Sequence, residues 1–351
     1  MAAEPGSLAE VTREVLSLAS GLGGRPRRRT VVVLSDGSSV LSRGALGAEA
    51  VRPVLERKCR VLERATGMAA FPLALQPAEP AEIVRTLELL RPNYDAILLA
   101  DIAAPRCFEI QDLLAAGPVD CPVLHDDQHG TAVMAATAVC TTAARTGRML
   151  PELCAVVVGA GAAGSATARL LHHLGLGEVR VTDSTGILFP GRPGMNTEKA
   201  EIAGLTNPGG LRGTLAAALQ GADLCVALSG APISAEELSG MNPKPILMPL
   251  SYPDVEVRFE DAAALAATYL PALENQLSNN LATPGLLLAA CESELRRPAM
   301  RDLAAAVGCL VRLVEDGPKA PPVPRVDPGR LARAIAAAVA ADRAPSRKAG
   351  T

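Results

Sequence analysis

Aromatic side chains are nearly missing from this chain: Phe, Tyr and Trp together make up 2% of its 351 residues. Nucleic-acid binding leans on aromatic stacking and on a basic field that neutralises phosphate, and the formal net charge here is -3. A nucleic-acid partner is therefore not expected. Also absent is any CxxC pair. The eight cysteines (Cys59, Cys107, Cys121, Cys140, Cys154, Cys225, Cys291 and Cys309) lie far apart, and no signal-peptide apolar core follows Met1. This usage fits reduced thiols in a cytoplasmic protein. The alanine-rich stretches are interrupted by Arg, Glu or Pro before reaching the roughly 18 apolar residues of a membrane span, so no membrane partner is expected either. What remains is an ordinary globular composition, 49% hydrophobic and 20% charged, on a chain long enough for two domains.

The order of elements points to an α/β fold. An amphipathic stretch, "SLAEVTREVLSLASGL", and a short basic connector, "GGRPRRR", come first; the connector reads as a solvated turn rather than a nucleic-acid patch. From Thr30 onward, apolar strand-like runs alternate with helical patterns: "TVVVLS", a helix near Ala48 to Ala65, "FPLAL", a helix near Ala81 to Leu90, "DAILLA", a helix near Phe108 to Ala115, and "CPVLH". Strands this continuously apolar, separated by helices, imply a parallel sheet covered on both faces. After a long helix from Gly130 to Ala144, a second series follows with "CAVVVG", "EVRVTD", "DLCVALSG" and "PILMPLS". One helix near Pro284 to Glu315 and another near Gly329 to Ala341 close the chain. The expected organisation is one α/β domain over residues 1–130, a second α/β domain of Rossmann type over 131–285 and C-terminal helices over 286–351.

Two motifs carry chemistry. In "VVVGAGAAGSATARLL", Gly159, Gly161 and Gly164 follow a strand and open a helix, with Ala162 and Ala163 between them. A tight turn, a close backbone approach and helix packing each demand a missing Cβ there, and the helix N-terminus then receives a pyrophosphate. The next strand ends at Asp183, roughly 20 residues on, where an acid can accept from an adenosine ribose. Ser184 and Thr185 follow it, neither of them basic, which favours NAD over NADP unless Arg180 or Arg192 reaches a 2′-phosphate. A flavin or nucleotide-free Rossmann domain is the alternative.

The second motif is "LHDDQHG", which lies with "LLADIAAP" at the C-terminal ends of parallel strands, where open α/β sheets collect ligands. Asp101, Asp126 and Asp127 are placed to converge there. Hard carboxylate oxygens with waters and substrate suit Mg²⁺ or Mn²⁺. His125 and His129 leave a zinc reading open, although no third nitrogen or sulfur ligand is evident nearby; His172 and His173 read as helix-surface residues.

Taken together, "SDGSSVLSRGALG", "RPVLERK", "ADIAAPRCFEI", "VLHDDQHGTAV", "VVVGAGAAG", "TDSTGILFPGRPGMN", "ENQLSNNLATPG" and "VDPGRLARAIAAAVA" resemble a malic enzyme of the shorter bacterial type, from about Ala3 to the C-terminal helix. The "HDDQHGTA" and "DSTGILFPGR" pieces are the specific ones. The resemblance implies a homodimer that oxidatively decarboxylates L-malate, a small 2-hydroxy acid, with NAD or NADP and a divalent metal. Carried over by position, Lys58 resembles the general base and Asp126 its polar neighbour. Asp101 and Asp127 resemble metal ligands, Asn279 a substrate contact, and Gly159, Gly161, Ala162, Ala163, Gly164, Asp183 and Ser184 the dinucleotide site. A lysine serves as base only where its setting lowers its pKa, so an uncharged, buried amine is expected at Lys58. Read without the resemblance, Lys58 is a solvated helix lysine flanked by Arg57 and Arg60.

Several positions depart from the family pattern. Ala100 stands where a metal-ligating Glu is usual, and the usual catalytic tyrosine falls in a segment that would precede "AAEP". The "ANPxPE" stretch has become "LSYPDVE", placing Ser251 or Tyr252 at a substrate-contacting Asn, Ser278 replaces one Asn of a pair, and Arg43 enters the usual "LGLG" loop. Three readings follow: a decarboxylating oxidoreductase acting on malate or a related 2-hydroxy acid, a redox-neutral decarboxylase or lyase, and a non-catalytic dinucleotide-binding module.

Overall fold

The computed structural model describes residues 28–40, 44–252, 254–272, 274, 276–315, 317 and 320–344. The amphipathic stretch at the N-terminus and Arg43 lie outside the described residues.

Two sheets organise the chain. Strands β1 (Thr30–Ser35), β2 (Ala69–Ala74), β3 (Ala96–Leu99) and β4 (Val123–His125) form a parallel sheet in the order β2-β1-β3-β4. Val31 to Leu34 and Ile97 to Leu99 are almost wholly inaccessible, as a sheet sandwiched between helices requires. The helix Ala48–Thr66 covers one face by burying Val51, Leu55, Cys59, Leu62 and Ala65, a stripe at three- and four-residue spacing. It stops at Gly67, whose φ of 75° only glycine adopts easily and whose N–H caps the Glu63 carbonyl. On this helix Lys58 stands beside the buried stripe. The basic connector ends locally, with Arg28 donating to the carbonyls of Gly67 and Met68.

The second sheet runs β10 (Thr268–Tyr269), β9 (Ile246–Pro249), β8 (Leu224–Ala227), β5 (Cys154–Val158), β6 (Glu178–Asp183), β7 (Gly186–Ile187) in spatial order. All its pairs are parallel except β6 with β7. Strand order reverses between β5 and β8, which creates the crevice in which such sheets hold ligands.

The sequence pattern suggests one helix from Pro284 to Glu315, but the structure has two, Asn279–Glu292 and Met300–Leu313. The break falls where Glu294 takes a left-handed φ of 53° and Pro298 cannot donate, and Asp302 re-caps the second helix by accepting from the Ala299 N–H at 2.7 Å. The first of these helices packs on Pro328–Arg343 and on Ala48–Thr66, so the end of the chain returns to the first sheet and brings its own side chains to the acidic motif. Among the described residues no helix is long and apolar enough to cross a membrane, and all eight cysteines are free, seven of them buried.

Candidate active site

Beyond β4 the chain passes through a single π-helical turn, Asp126–Gly130, and straight into the helix Thr131–Arg145. Neighbouring residues on a helical turn diverge by about 100°, so the two adjacent aspartates point to different partners. Asp126 accepts from Lys58 Nζ at 2.5 Å through Oδ2 and from the Thr283 hydroxyl at 2.6 Å through Oδ1. Asp127 instead turns to the end of β3, where its Oδ2 accepts from the Asp101 N–H at 2.9 Å. Asp101 Oδ2 lies 3.6 Å from Lys58 Nζ. Four sequence candidates from three elements thus meet in one place. Gly130 makes the meeting possible. A Cβ there would fall 2.2 Å from Thr283 Oγ1 and 2.8 Å from Asn279 Cβ, so only glycine lets the start of helix Asn279–Glu292 press against the aspartate turn.

Charge in this cluster differs from the sequence expectation. Burial alone pushes the Lys58 ammonium toward neutrality, but Asp126, Asp127 and Asp101 together outweigh it and hold the pKa above the ordinary lysine range. The expected uncharged amine is therefore replaced by an ammonium shared between carboxylates. Asp101 is raised as well, which here favours its neutral form: burial, then Asp127 and Asp126, bring it to about 6 against the offsetting pull of Lys58. It also adopts φ 54°, a left-handed conformation that costs a non-glycine residue energy and is kept where the surroundings impose it.

Two carboxylate oxygens, Asp101 Oδ2 and Asp127 Oδ1, are buried and accept no hydrogen bond. Buried hard oxygens without a hydrogen bond fit a small divalent cation that takes its other ligands from water and substrate. Among the described residues no group of three or more His, Cys, Asp or Glu side chains is arranged to hold a metal, and Ala100, fully buried, offers a methyl group. For zinc, both histidines are buried and kept in the neutral form a metal needs, His129 down at about 3, but His129 Nδ1 is spent accepting from the His125 N–H. His172 and His173 are exposed on their helix.

Asp127 opens onto a cleft of about 700 Å³ between the two sheets, shared with Thr131, Gly161, Ala162, Ala163 and Asn279. The glycine turn has the form its spacing implies: Gly159 sits at φ 109°, and a Cβ on Gly164 would fall 1.8 Å from the Gly159 carbonyl oxygen. Gly161 starts the helix Ala162–His173. At the end of β6, Ser184 is exposed, but Asp183 is engaged. Its carboxylate takes a two-pronged pair from Arg192, Lys199 Nζ at 2.7 Å, and the N–H and hydroxyl of Thr185, which together pull its pKa down despite partial burial. Five donors converge on its two oxygens, so a ribose hydroxyl at Asp183 would compete with them for acceptor sites. Arg180 points elsewhere, to Glu178 and to the carbonyls of Ala218 and Gln220.

No family model matches the sequence. Individual proteins do. The bifunctional malic/malolactic enzyme of Bacillus subtilis is 35% identical over 318 residues, covering 88% of this chain and 77% of that protein. The chain belongs to the malic enzyme family. The NAD-dependent malic enzyme of Geobacillus stearothermophilus is 34% identical over 77% of this chain, which spans only 57% of that relative. The crystal structure of the NAD-dependent malic enzyme from Thermotoga maritima superposes with a TM-score of 0.83 at 31% identity, over 97% of this chain and 94% of that one. The α/β architecture is thus that of malic enzymes.

Within the family frame, some contributors escape a motif reading. Thr283 lies within "ENQLSNNLATPG", but its partner Asp126 is 157 residues away and no spacing along the chain pairs them. Glu256, behind the substituted "LSYPDVE" loop, is 2% exposed and holds two loops of the cleft. Of the three tyrosines, Tyr94 donates to the Leu87 carbonyl and Tyr269 to the Val257 carbonyl, while Tyr252 lines the cleft.

Proposed function

We propose that this malic enzyme family member is a cytoplasmic, homodimeric oxidoreductase that oxidatively decarboxylates L-malate or a related 2-hydroxy acid. The observation that carries the reading is the convergence of Lys58, Asp126 and Asp101 on Asp127, the one of the four that lines a cleft shared with the glycine turn. NAD or NADP, when bound, supplies the hydride acceptor, and Mg²⁺ or Mn²⁺ supplies a Lewis acid that stabilises the enolate left by CO₂.

The chain's own residues do the rest. Asp101 and Asp127 are the side chains that would hold the ion, and once their charge is engaged there the burial of Lys58 lowers its pKa with less opposition. Lys58 Nζ has first to give its own proton to solvent through the cleft, and as the free amine it then takes the proton of the substrate hydroxyl. Asp126 keeps the amine in place from one oxygen while Thr283 fixes the other, so the base has a single orientation. Asn279, at the start of its helix, contacts the substrate from the cleft wall. The main-chain N–H groups at the start of helix Ala162–His173 face the dinucleotide pyrophosphate, with Gly159, Gly161 and Gly164 clearing the approach.

A redox-neutral reading draws support from the Bacillus subtilis relative, whose name includes a malolactic activity. Purified protein incubated with Mn²⁺, malate and either NAD or NADP separates the readings. A rise in reduced-nicotinamide absorbance with pyruvate as product supports oxidative decarboxylation. Lactate and CO₂ without net cofactor reduction support the neutral reaction, and no turnover of any 2-hydroxy acid at any enzyme concentration overturns both.

A further inference from the structure

A dinucleotide lying across the β5/β8 switch point, with its pyrophosphate on the glycine turn and its adenosine toward β6, puts the nicotinamide over β8 and β9. The loops that follow those two strands form that wall of the cleft, through Ser229, Gly230, Ser251 and Tyr252. Directly behind them is the carboxylate of Glu256, 2% exposed. It accepts from the Gly230 N–H at 3.1 Å, the Ser251 N–H at 3.2 Å and the Ser251 hydroxyl at 2.5 Å. All three donors are uncharged, and among the described residues no Lys, Arg or His forms an ion pair with it. The described lining of the cleft likewise contains Asp127 and Asp254 and no basic side chain.

A buried charge with neutral donors acts over several ångströms because little solvent screens it. Oxidised nicotinamide carries a positive ring charge, whereas the reduced ring is neutral. Loop positioning alone would need only hydrogen-bond acceptors, which an amide supplies in part without the cost of burying a charge.

We propose that Glu256 is a positioning residue whose buried negative charge raises the affinity of the nicotinamide pocket for the oxidised ring over the reduced one. The inference rests on the dinucleotide reading of the cleft, and it is tested by binding rather than turnover. Dissociation constants of the full chain for NAD⁺, NADH, NADP⁺ and NADPH are measured by calorimetry or fluorescence for wild type, Glu256→Gln and Glu256→Asp. In Glu256→Gln the oxidised form of the preferred cofactor should bind roughly tenfold more weakly while the reduced form changes by about twofold or less. Glu256→Asp keeps the charge and should hold the wild-type ratio of the two constants even where a shifted loop weakens both.

Equal loss of both forms in Glu256→Gln, or no loss, overturns the proposal and leaves the cofactor reading intact. Absence of any dinucleotide binding to the wild type overturns the cofactor reading and the proposal with it. If Glu256→Gln does not fold, the wild type decides against 1,4,5,6-tetrahydronicotinamide dinucleotide, an analogue with an uncharged ring. The oxidised cofactor must bind at least as tightly as that analogue, and tighter binding of the analogue overturns the proposal.

Discussion

Asp101→Asn should make this protein more stable while removing its response to a divalent ion. The substitution keeps the shape of the side chain, and Asn tolerates the left-handed φ of 54° at this position as well as Asp does. What it removes is a carboxyl held at about 6 instead of its ordinary 3.8, chiefly by burial and then by Asp127 and Asp126. Keeping that group ionised at neutral pH costs on the order of 3 kcal/mol. That figure already includes the attraction of Lys58, 3.6 Å away, which keeps Asp126 in the variant. A net gain of about 1–3 kcal/mol is expected for Asp101→Asn at pH 7 in chelator.

The sign follows from linkage. With the folded pKa raised, the wild-type stability associated with this group is fully present below about pH 4, is lost as the pH climbs through about 6, and stays lost above. The gap between variant and wild type should therefore open between those limits and close in acid. Urea unfolding followed by circular dichroism in EDTA across that range reads it directly. Added Mn²⁺ should stabilise the wild type by mass action and leave the variant unmoved and inactive. A variant less stable than wild type at pH 7 in chelator, or a gap that persists at about pH 4, would refute the reasoning, since the carboxylate would then be a net stabiliser held by Lys58.

Lys58→Ala should lower turnover by about 10²–10⁴-fold with dinucleotide affinity little changed, measured by steady-state kinetics beside cofactor titration; unchanged turnover removes the lysine from the mechanism. Thr283→Val deletes the hydroxyl that donates at 2.6 Å to buried Asp126 without changing volume, and should cost about 1–3 kcal/mol in unfolding free energy. Its effect on activity should fall on kcat more than on KM, because the substrate is not what Thr283 touches. Gly164→Ala places a Cβ 1.8 Å from the Gly159 carbonyl oxygen. The turn has to open, so dinucleotide binding should weaken by about tenfold or more and stability should fall by about 1–3 kcal/mol, read by calorimetry and thermal melting.

Much of this was legible in one dimension. Runs such as "TVVVLS" and "CAVVVG" become strands β1 and β5 because β-branched residues with no polar partner can only be buried on both faces of a parallel sheet. The glycine turn was legible for a similar reason, since the demand for a missing Cβ is local and is met within six residues. The helix from Pro284 to Glu315 was misread because alanine- and leucine-rich helical runs lie on both sides of "SELRRPA", while the chain breaks inside it at Glu294 and Pro298. The partners of Asp183 were not legible, because Arg192 and Lys199, 9 and 16 residues away, reach it only once the following loop and helix have folded back.

By itself the sequence determined the alternation of strands and helices, the position of the dinucleotide turn and the identity of the acidic residues, because each rests on neighbours in the chain. Tertiary structure alone decided the charge of Lys58, the division of labour between Asp126 and Asp127, and the roles of Thr283 and Glu256. Those depend on fields and contacts among groups up to 157 residues apart. Ionisation is set by every charge within several ångströms, and no spacing rule along the chain encodes that distance.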